Sequence, residues 1–236
     1  PGMSEFHTIA PDTMVARLIR ATDRTWHDFT HHLFVEGLAQ GTLPQENFRF
    51  YLVQDYRFLI HFSRAWALAA FKSDDVEEIR ACAGLVHALV DQELQLHVRT
   101  CAGWGLSEAD LVATPEHPAN AAYTRYVLER GLAGDLADLL VALAPCVVGY
   151  AEIGARLARD PATNQTDNAY AEWIATYAGE DYQGGAAMAV AQLDRVLKAK
   201  LGPAPWALPR WDELIRTFAT ATRLEIGFWE MGLAAR

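Results

Sequence analysis

Apolar residues return every three or four positions along most of this chain, and no stretch of useful length alternates with a period of two. The first pattern gathers side chains on one face of a helix; the second would be needed for half-buried strands. Between Thr13 and Glu36 the recurring residues are Val15, Leu18, Ile19, Trp26, Phe29, Leu33 and Phe34. Gly41-Thr42-Leu43-Pro44 reads as a turn, with Pro44 suited to a first helical turn. A long helix is expected over about 45–71. Ser73-Asp74-Asp75 reads as its stop and as the next cap, followed by a helix over about 76–104. Ser107 with Asp110 three residues on has capping-box spacing, with Asp in place of Glu. Beyond the Pro-punctuated loop at 114–118, helices are expected over 119–130, 134–159, 167–176, 183–200 and 211–233. With no repeat, low-complexity tract or linker, one all-α bundle domain over 3–236 is the simplest architecture. Pro1-Gly2 ahead of Met3 reads as an expression scar.

Composition narrows the function. A chain of 236 residues, 51% apolar, can bury a sizeable core. Its formal net charge of −10, with Lys and Arg scattered, disfavours nucleic-acid binding. Three cysteines, an odd number, without a secretory leader set the expectation of reduced thiols in a cytoplasm. No run of about 18 apolar residues stands out, so no membrane span is expected.

The informative residues are polar ones on apolar stripes, because an unpaired buried charge is costly. Asp55 interrupts the stripe Phe48, Leu52, Leu59, Phe62, Trp66. Glu225 interrupts Phe218, Ala221, Phe228, Trp229. Glu93 interrupts Val86, Leu89, Leu96, with His97 beside it. Cys146 shares a face with Leu139, Leu143 and Tyr150, directly after the mid-helix Pro145, which removes a backbone hydrogen bond and favours a kink. Taken singly each has an ordinary reading: a buried Cys is usually a small hydrophobe, and a lone buried carboxylate is often paired across helices. Three carboxylates and a thiol on inward faces can also converge on one pocket.

A di-iron site would use Glu-x-x-His pairs at i, i+3 from two helices. Glu93 and His97 are four apart, and no histidine follows His117, so no metal site is expected. Gly-x-Ser-x-Gly, Gly-x-Gly-x-x-Gly and Walker A motifs are absent. What remains is a thiol nucleophile with carboxylate partners in an aromatic-walled pocket. Such a pocket suits a planar nitrogen-containing ring.

Four segments, in order, carry a resemblance. They are Gly41-Thr42-Leu43-Pro44 through Phe48-Arg49-Phe50-Tyr51-Leu52-Val53-Gln54-Asp55-Tyr56 to His61-Phe62; Leu139 through Pro145-Cys146 to Tyr150 and Glu152-Ile153-Gly154; Tyr170-Ala171-Glu172-Trp173-Ile174-Ala175-Thr176-Tyr177; and Glu225-Ile226-Gly227-Phe228-Trp229-Glu230-Met231. Together they resemble the TenA/thiaminase II family over nearly the whole chain. The resemblance implies a heme-oxygenase-like helical bundle, a homotetramer, and no cofactor. It implies hydrolysis of 4-amino-5-aminomethyl-2-methylpyrimidine to hydroxymethylpyrimidine, with cleavage of thiamin as a related activity. By the same resemblance Cys146 is the nucleophile and Glu225 the acid/base. Asp55 holds the amino-pyrimidine edge, and Tyr123, Tyr150 and Tyr177 are pocket tyrosines. Glu93 and His97 support the site from behind or form a buried pair. Phe58 stands where the family often has Tyr, which leaves an aromatic face without a hydroxyl. Family members lacking the cysteine use carboxylates; Cys146 puts this chain with the cysteine type. A same-fold enzyme for another aminopyrimidine and a pyrimidine-binding regulator are the alternatives.

Overall fold

The structure is a computed structural model in which residues 9–235 are described; Pro1 and Gly2, expected to be a scar, lie outside them. Among the described residues there is no strand. The helices are α1 (Met14–Ala21), α2 (Asp23–Thr30), α3 (Leu33–Gln40), α4 (Gln45–Phe71), α5 (Val76–His87), α6 (Leu94–Ala102), α7 (Glu108–Ala113), α8 (Pro118–Ala133), α9 (Leu136–Arg159), α10 (Ala171–Ala178), α11 (Glu180–Leu201) and α12 (Arg210–Ala234). A π-helical segment, Ala88–Glu93, joins α5 to α6, and a 3-10 turn, Pro205–Ala207, precedes α12.

The caps follow the sequence closely. Asp75 accepts from the Glu77 amide, and Ser107 with Asp110 forms the full capping box. Two expectations change. The apolar periodicity over 13–36 belongs to three short helices, because the backbone leaves helical geometry at Thr22 and His31. At the first break the Thr22 hydroxyl donates back to the Leu18 carbonyl at 2.9 Å, the local competition that makes hydroxyl side chains poor helix-interior residues. The expected helix over 76–104 likewise divides around the π segment.

A third expectation concerns membranes. By length and composition alone α9 is apolar enough to cross one, contrary to the sequence reading, but its apolar window is wholly buried in the protein. It is the central helix, packed against α2, α4, α8, α10, α11 and α12. A helix surrounded on all sides is apolar on all sides. It runs unbroken through Pro145.

Around α9 lies a bed of aromatic rings. Trp26 stacks on Phe218 at 5.5 Å and Phe34 on Trp229 at 4.8 Å between centroids. Both indole N–H groups are satisfied, Trp26 by the Glu152 carboxylate at 2.8 Å and Trp229 by the Phe29 carbonyl at 3.2 Å. Buried Trp needs such partners.

Gly154 sets the distance between α9 and α10. A Cβ at this position would lie 2.5 Å from the Tyr177 carbonyl carbon and 2.7 Å from its oxygen, and a backbone cannot swing aside as a flexible side-chain tip can. Gly154→Ala is therefore expected to push α10 outward and cost about 1–3 kcal/mol. Thermal unfolding should show a melting temperature lower by several degrees. An unchanged melting temperature would mean that the two helices are not locked at this contact.

Candidate active site

The packing leaves a cavity of about 770 Å³ beside α9. Its wall includes Asp55 and Phe58 from α4, Cys146 and Tyr150 from α9, Tyr177 from α10, Tyr182 from α11 and Glu93 from the π segment. Cys146 is partly open to this space although it lies deep in the protein. Asp55 is 3% exposed, and its Oδ2 lies 2.6 Å from His97 Nε2.

His97 is tied on both sides. Its Nδ1 donates to the Glu93 peptide carbonyl at 2.8 Å, since a carbonyl can only accept. Burial alone would lower its pKa, but the hydrogen bond and charge of Asp55, with the charge of Glu93, carry it above the ordinary histidine value. An imidazolium can donate from both nitrogens, which matches the two oxygen partners.

Glu225 stands behind the thiol and is not part of the cavity wall. It is 2% exposed and accepts a hydrogen bond from the Tyr123 hydroxyl at 2.7 Å. Burial pushes its carboxyl up to about 8, against stabilisation of the charged form by Tyr123 and Cys146. Burial also drives the Cys146 thiol well above its usual value, and the charges of Glu225, Glu93 and Asp55 add to this. At neutral pH the resting site thus holds a thiol next to a protonated carboxyl. That carboxyl can donate to a ring as the thiol adds to it. Glu93 is raised to about 7, chiefly by burial, with His97 opposing the shift. Among the described residues no group of three or more His, Cys, Asp or Glu side chains is arranged to hold a metal ion.

The chain matches the TENA/THI-4/PQQC family over residues 19–235. It belongs to that family. It is 41% identical over 220 residues to an uncharacterized protein of Haemophilus influenzae, covering 93% of this chain and 99% of that one. It is 32% identical over 224 residues to the aminopyrimidine aminohydrolase of Halalkalibacterium halodurans, covering 95% and 97%. A crystal structure from a Silicibacter species, described as a TenA family transcription regulator, superposes with a TM-score of 0.89 at 51% identity, covering 93% of this chain and 96% of that one.

Within this TenA-family fold the sequence-derived site residues separate into two layers. Cys146, Asp55, Phe58, Tyr150, Tyr177 and Glu93 meet on the cavity wall. Tyr123, expected to touch a ligand ring, is instead wholly buried and holds Glu225. Glu93 and His97, expected to support the site from behind or to form a buried pair, are joined through the Glu93 carbonyl; His97 lies under Asp55, while the Glu93 side chain reaches the cavity. Two residues were missed. Tyr51 hydrogen-bonds to Tyr150 through their hydroxyls at 2.9 Å. Its position four before Asp55, on the same helix face, was the available signal. Tyr182 stacks edge-on against Tyr177 at 4.8 Å. It sits in the first turn of α11, before any apolar period begins, so no face could be assigned to it.

The raised Glu225 value has a consequence for stability. Between pH 4.5 and about 8 the folded chain keeps a proton there that the unfolded chain gives up. Folding therefore becomes less favourable as pH rises through this window, by up to roughly 1.4 kcal/mol per pH unit for such a carboxyl. Glu225→Gln, which can still accept from Tyr123, should flatten the fall in melting temperature between pH 5 and 8. Parallel curves for wild type and variant would contradict the buried, protonated carboxyl.

Proposed function

We propose that this protein is a cysteine-type aminopyrimidine aminohydrolase of thiamin salvage. In this reading it converts 4-amino-5-aminomethyl-2-methylpyrimidine and water to hydroxymethylpyrimidine and ammonia. The observation that carries the reading is a partly open thiol, Cys146, backed by the protonated carboxyl of Glu225, in an aromatic cavity that also presents the Asp55 carboxylate. The name of the Halalkalibacterium halodurans relative supports it.

Asp55 Oδ2 is engaged by His97, and Oδ1 is the oxygen left to accept from the exocyclic amine of the ring. Tyr150 and Tyr177 present ring faces or hydroxyls to the flat substrate, and Phe58 closes the wall with an apolar ring. Glu225 gives its proton to a ring nitrogen while the Cys146 sulfur bonds to a ring carbon, and the thiol proton refills Glu225. The aminomethyl group is bound as its ammonium form, and the electron-rich adduct expels it from the exocyclic methylene as ammonia, the C–N electron pair leaving with nitrogen. Water takes its place at the methylene carbon. Loss of the sulfur, with the ring proton returning through Glu225, restores the thiol and the aromatic ring. Cleavage of thiamin would follow the same course with a different leaving group. As part of the same reading, resting on the family resemblance, the enzyme is a cytoplasmic homotetramer.

The regulatory alternative has one observation in its favour, the description of the Silicibacter relative. A net charge of −10 without a basic cluster opposes direct DNA contact.

Ammonia release from the aminomethylpyrimidine is the test. Wild type and Cys146→Ala should differ by at least about 1,000-fold, while Cys82→Ala, altering a wholly buried thiol outside the cavity wall, keeps turnover if the variant is folded. Equal rates for wild type and Cys146→Ala would assign the chemistry to the carboxylates. No turnover by folded wild type would end the salvage-hydrolase reading. In the active enzyme kcat/KM should fall as pH rises through about 8, where Glu225 loses the proton it must donate.

A further inference from the structure

The reaction above needs a second proton acceptor. Water attacking the exocyclic methylene must lose a proton, and both Glu225 and Asp55 are committed elsewhere. Glu225, held by Tyr123 next to the thiol, serves the ring nitrogen and the sulfur in the proposed course. Asp55 is tied to His97 and, in the proposed binding mode, to the substrate amine.

Of the other carboxyls that line the cavity, Asp91, Glu180 and Asp181 are exposed, while Glu93 is drawn in from solvent and faces Cys146 and Asp55. The π-helical segment Ala88–Glu93 borders the cavity, and its last three residues, Asp91, Gln92 and Glu93, all line it. Such π turns recur at functional sites. Glu93 is further anchored at its backbone, where its carbonyl accepts from His97 at 2.8 Å. The Tyr177 hydroxyl supports its charged form, and Tyr182 is the neighbouring phenol on the cavity wall. The cavity, about 770 Å³, has far more room than one pyrimidine ring fills, enough for a water and a departing amine beside Glu93.

We propose that Glu93 is a further catalytic residue of this site, the base that takes the proton of the hydrolytic water and hands it to the departing amine. The proposal rests on the aminohydrolase reading. Ammonia leaves with the C–N electron pair. The water oxygen bonds to the methylene carbon, and one of its protons moves to the Glu93 carboxylate. That proton then passes to ammonia, which departs as ammonium, and Glu93 is a carboxylate again. Glu225 and Glu93 thereby divide the proton transfers, one serving the ring and thiol, the other the exocyclic carbon.

The division predicts a narrow bell in the pH profile. Glu93 must be ionised, and its value is about 7; Glu225 must be protonated, and its value is about 8. The groups that face Glu93 and shape the rising limb are His97, Asp55 and Tyr177, together with Cys146 and Tyr182.

The decisive experiment is turnover of the aminomethylpyrimidine by Glu93→Gln with and without azide, a nucleophile that needs no base. The expected result is a kcat about 100-fold below wild type, a KM within about threefold, loss of the rising limb, and recovery of turnover with azide as the azidomethyl product. Glu225→Gln should gain nothing from azide. A kcat within about threefold of wild type overturns the proposal, as does a deep loss that azide does not relieve. Glu93→Asp keeps a carboxylate and should retain the rising limb; a flat profile there overturns the proposal even if the glutamine variant does not fold. Wild type that turns over while Glu93→Gln is unaffected removes only the role of Glu93. Wild type that releases no ammonia removes the aminohydrolase reading and this proposal with it.

Discussion

The hydrogen bond between Asp55 and His97, 2.6 Å long and almost wholly out of solvent, is the constraint on which the site depends. A lone carboxylate on the inner face of α4 would be driven to protonate or to destabilise the fold. With His97 beneath it, held in turn by the Glu93 carbonyl, the Asp55 carboxyl has a hydrogen-bond partner in the interior while it lines the cavity. The imidazole also joins α4 to the π segment, so the pair sets the spacing between two walls of the same cavity. The remaining carboxyls meet the cost of burial differently. Glu225 and Glu93 are held toward their neutral forms, which makes them usable as proton donors and acceptors near neutral pH.

Core and site are one structure here. Tyr51 packs on Trp229 at 5.5 Å and reaches the Tyr150 hydroxyl, so the aromatic bed beneath α9 also fixes a ring of the cavity wall. Tyr123 packs on Phe58 and Phe62 while its hydroxyl orients Glu225. Gly154 brings α10 close enough for Tyr177 to meet Tyr150. A change in the core would therefore be read out at the thiol, because dense packing transmits displacement more readily than it absorbs it.

Much of this was legible in the sequence because burial makes polar residues conspicuous. Asp55, Glu225 and Cys146 stood out because their neighbours three and four positions away are apolar, and all three lie at the cavity or directly behind it. The long helix α4 matched its expected bounds, since Pro44 and Ser73-Asp74-Asp75 are strong punctuation. Other features were invisible for physical reasons. The breaks at Thr22 and His31 leave the apolar period intact, so the period over 13–36 did not show that three helices share it. A π turn has no sequence signature, and Glu93, its last residue, reaches the wall while His97 sits beneath Asp55. Tyr123 showed only that it was aromatic and inward. Whether it met a ligand or a carboxyl depended on α12, more than a hundred positions away.

The central claim is that a buried carboxylate, held by a histidine beside a thiol, recognises an aminopyrimidine edge. Calorimetric binding of hydroxymethylpyrimidine to folded wild type, Cys146→Ala and Asp55→Asn tests it most directly, because binding of product requires no chemistry. The account predicts one site per chain in wild type, affinity kept within about tenfold in Cys146→Ala, and a loss of at least about 100-fold in Asp55→Asn, as expected when a charged hydrogen bond in a buried site is removed. Equal affinity in all three proteins would contradict it, because the pyrimidine would then be bound by something other than the Asp55–His97 pair.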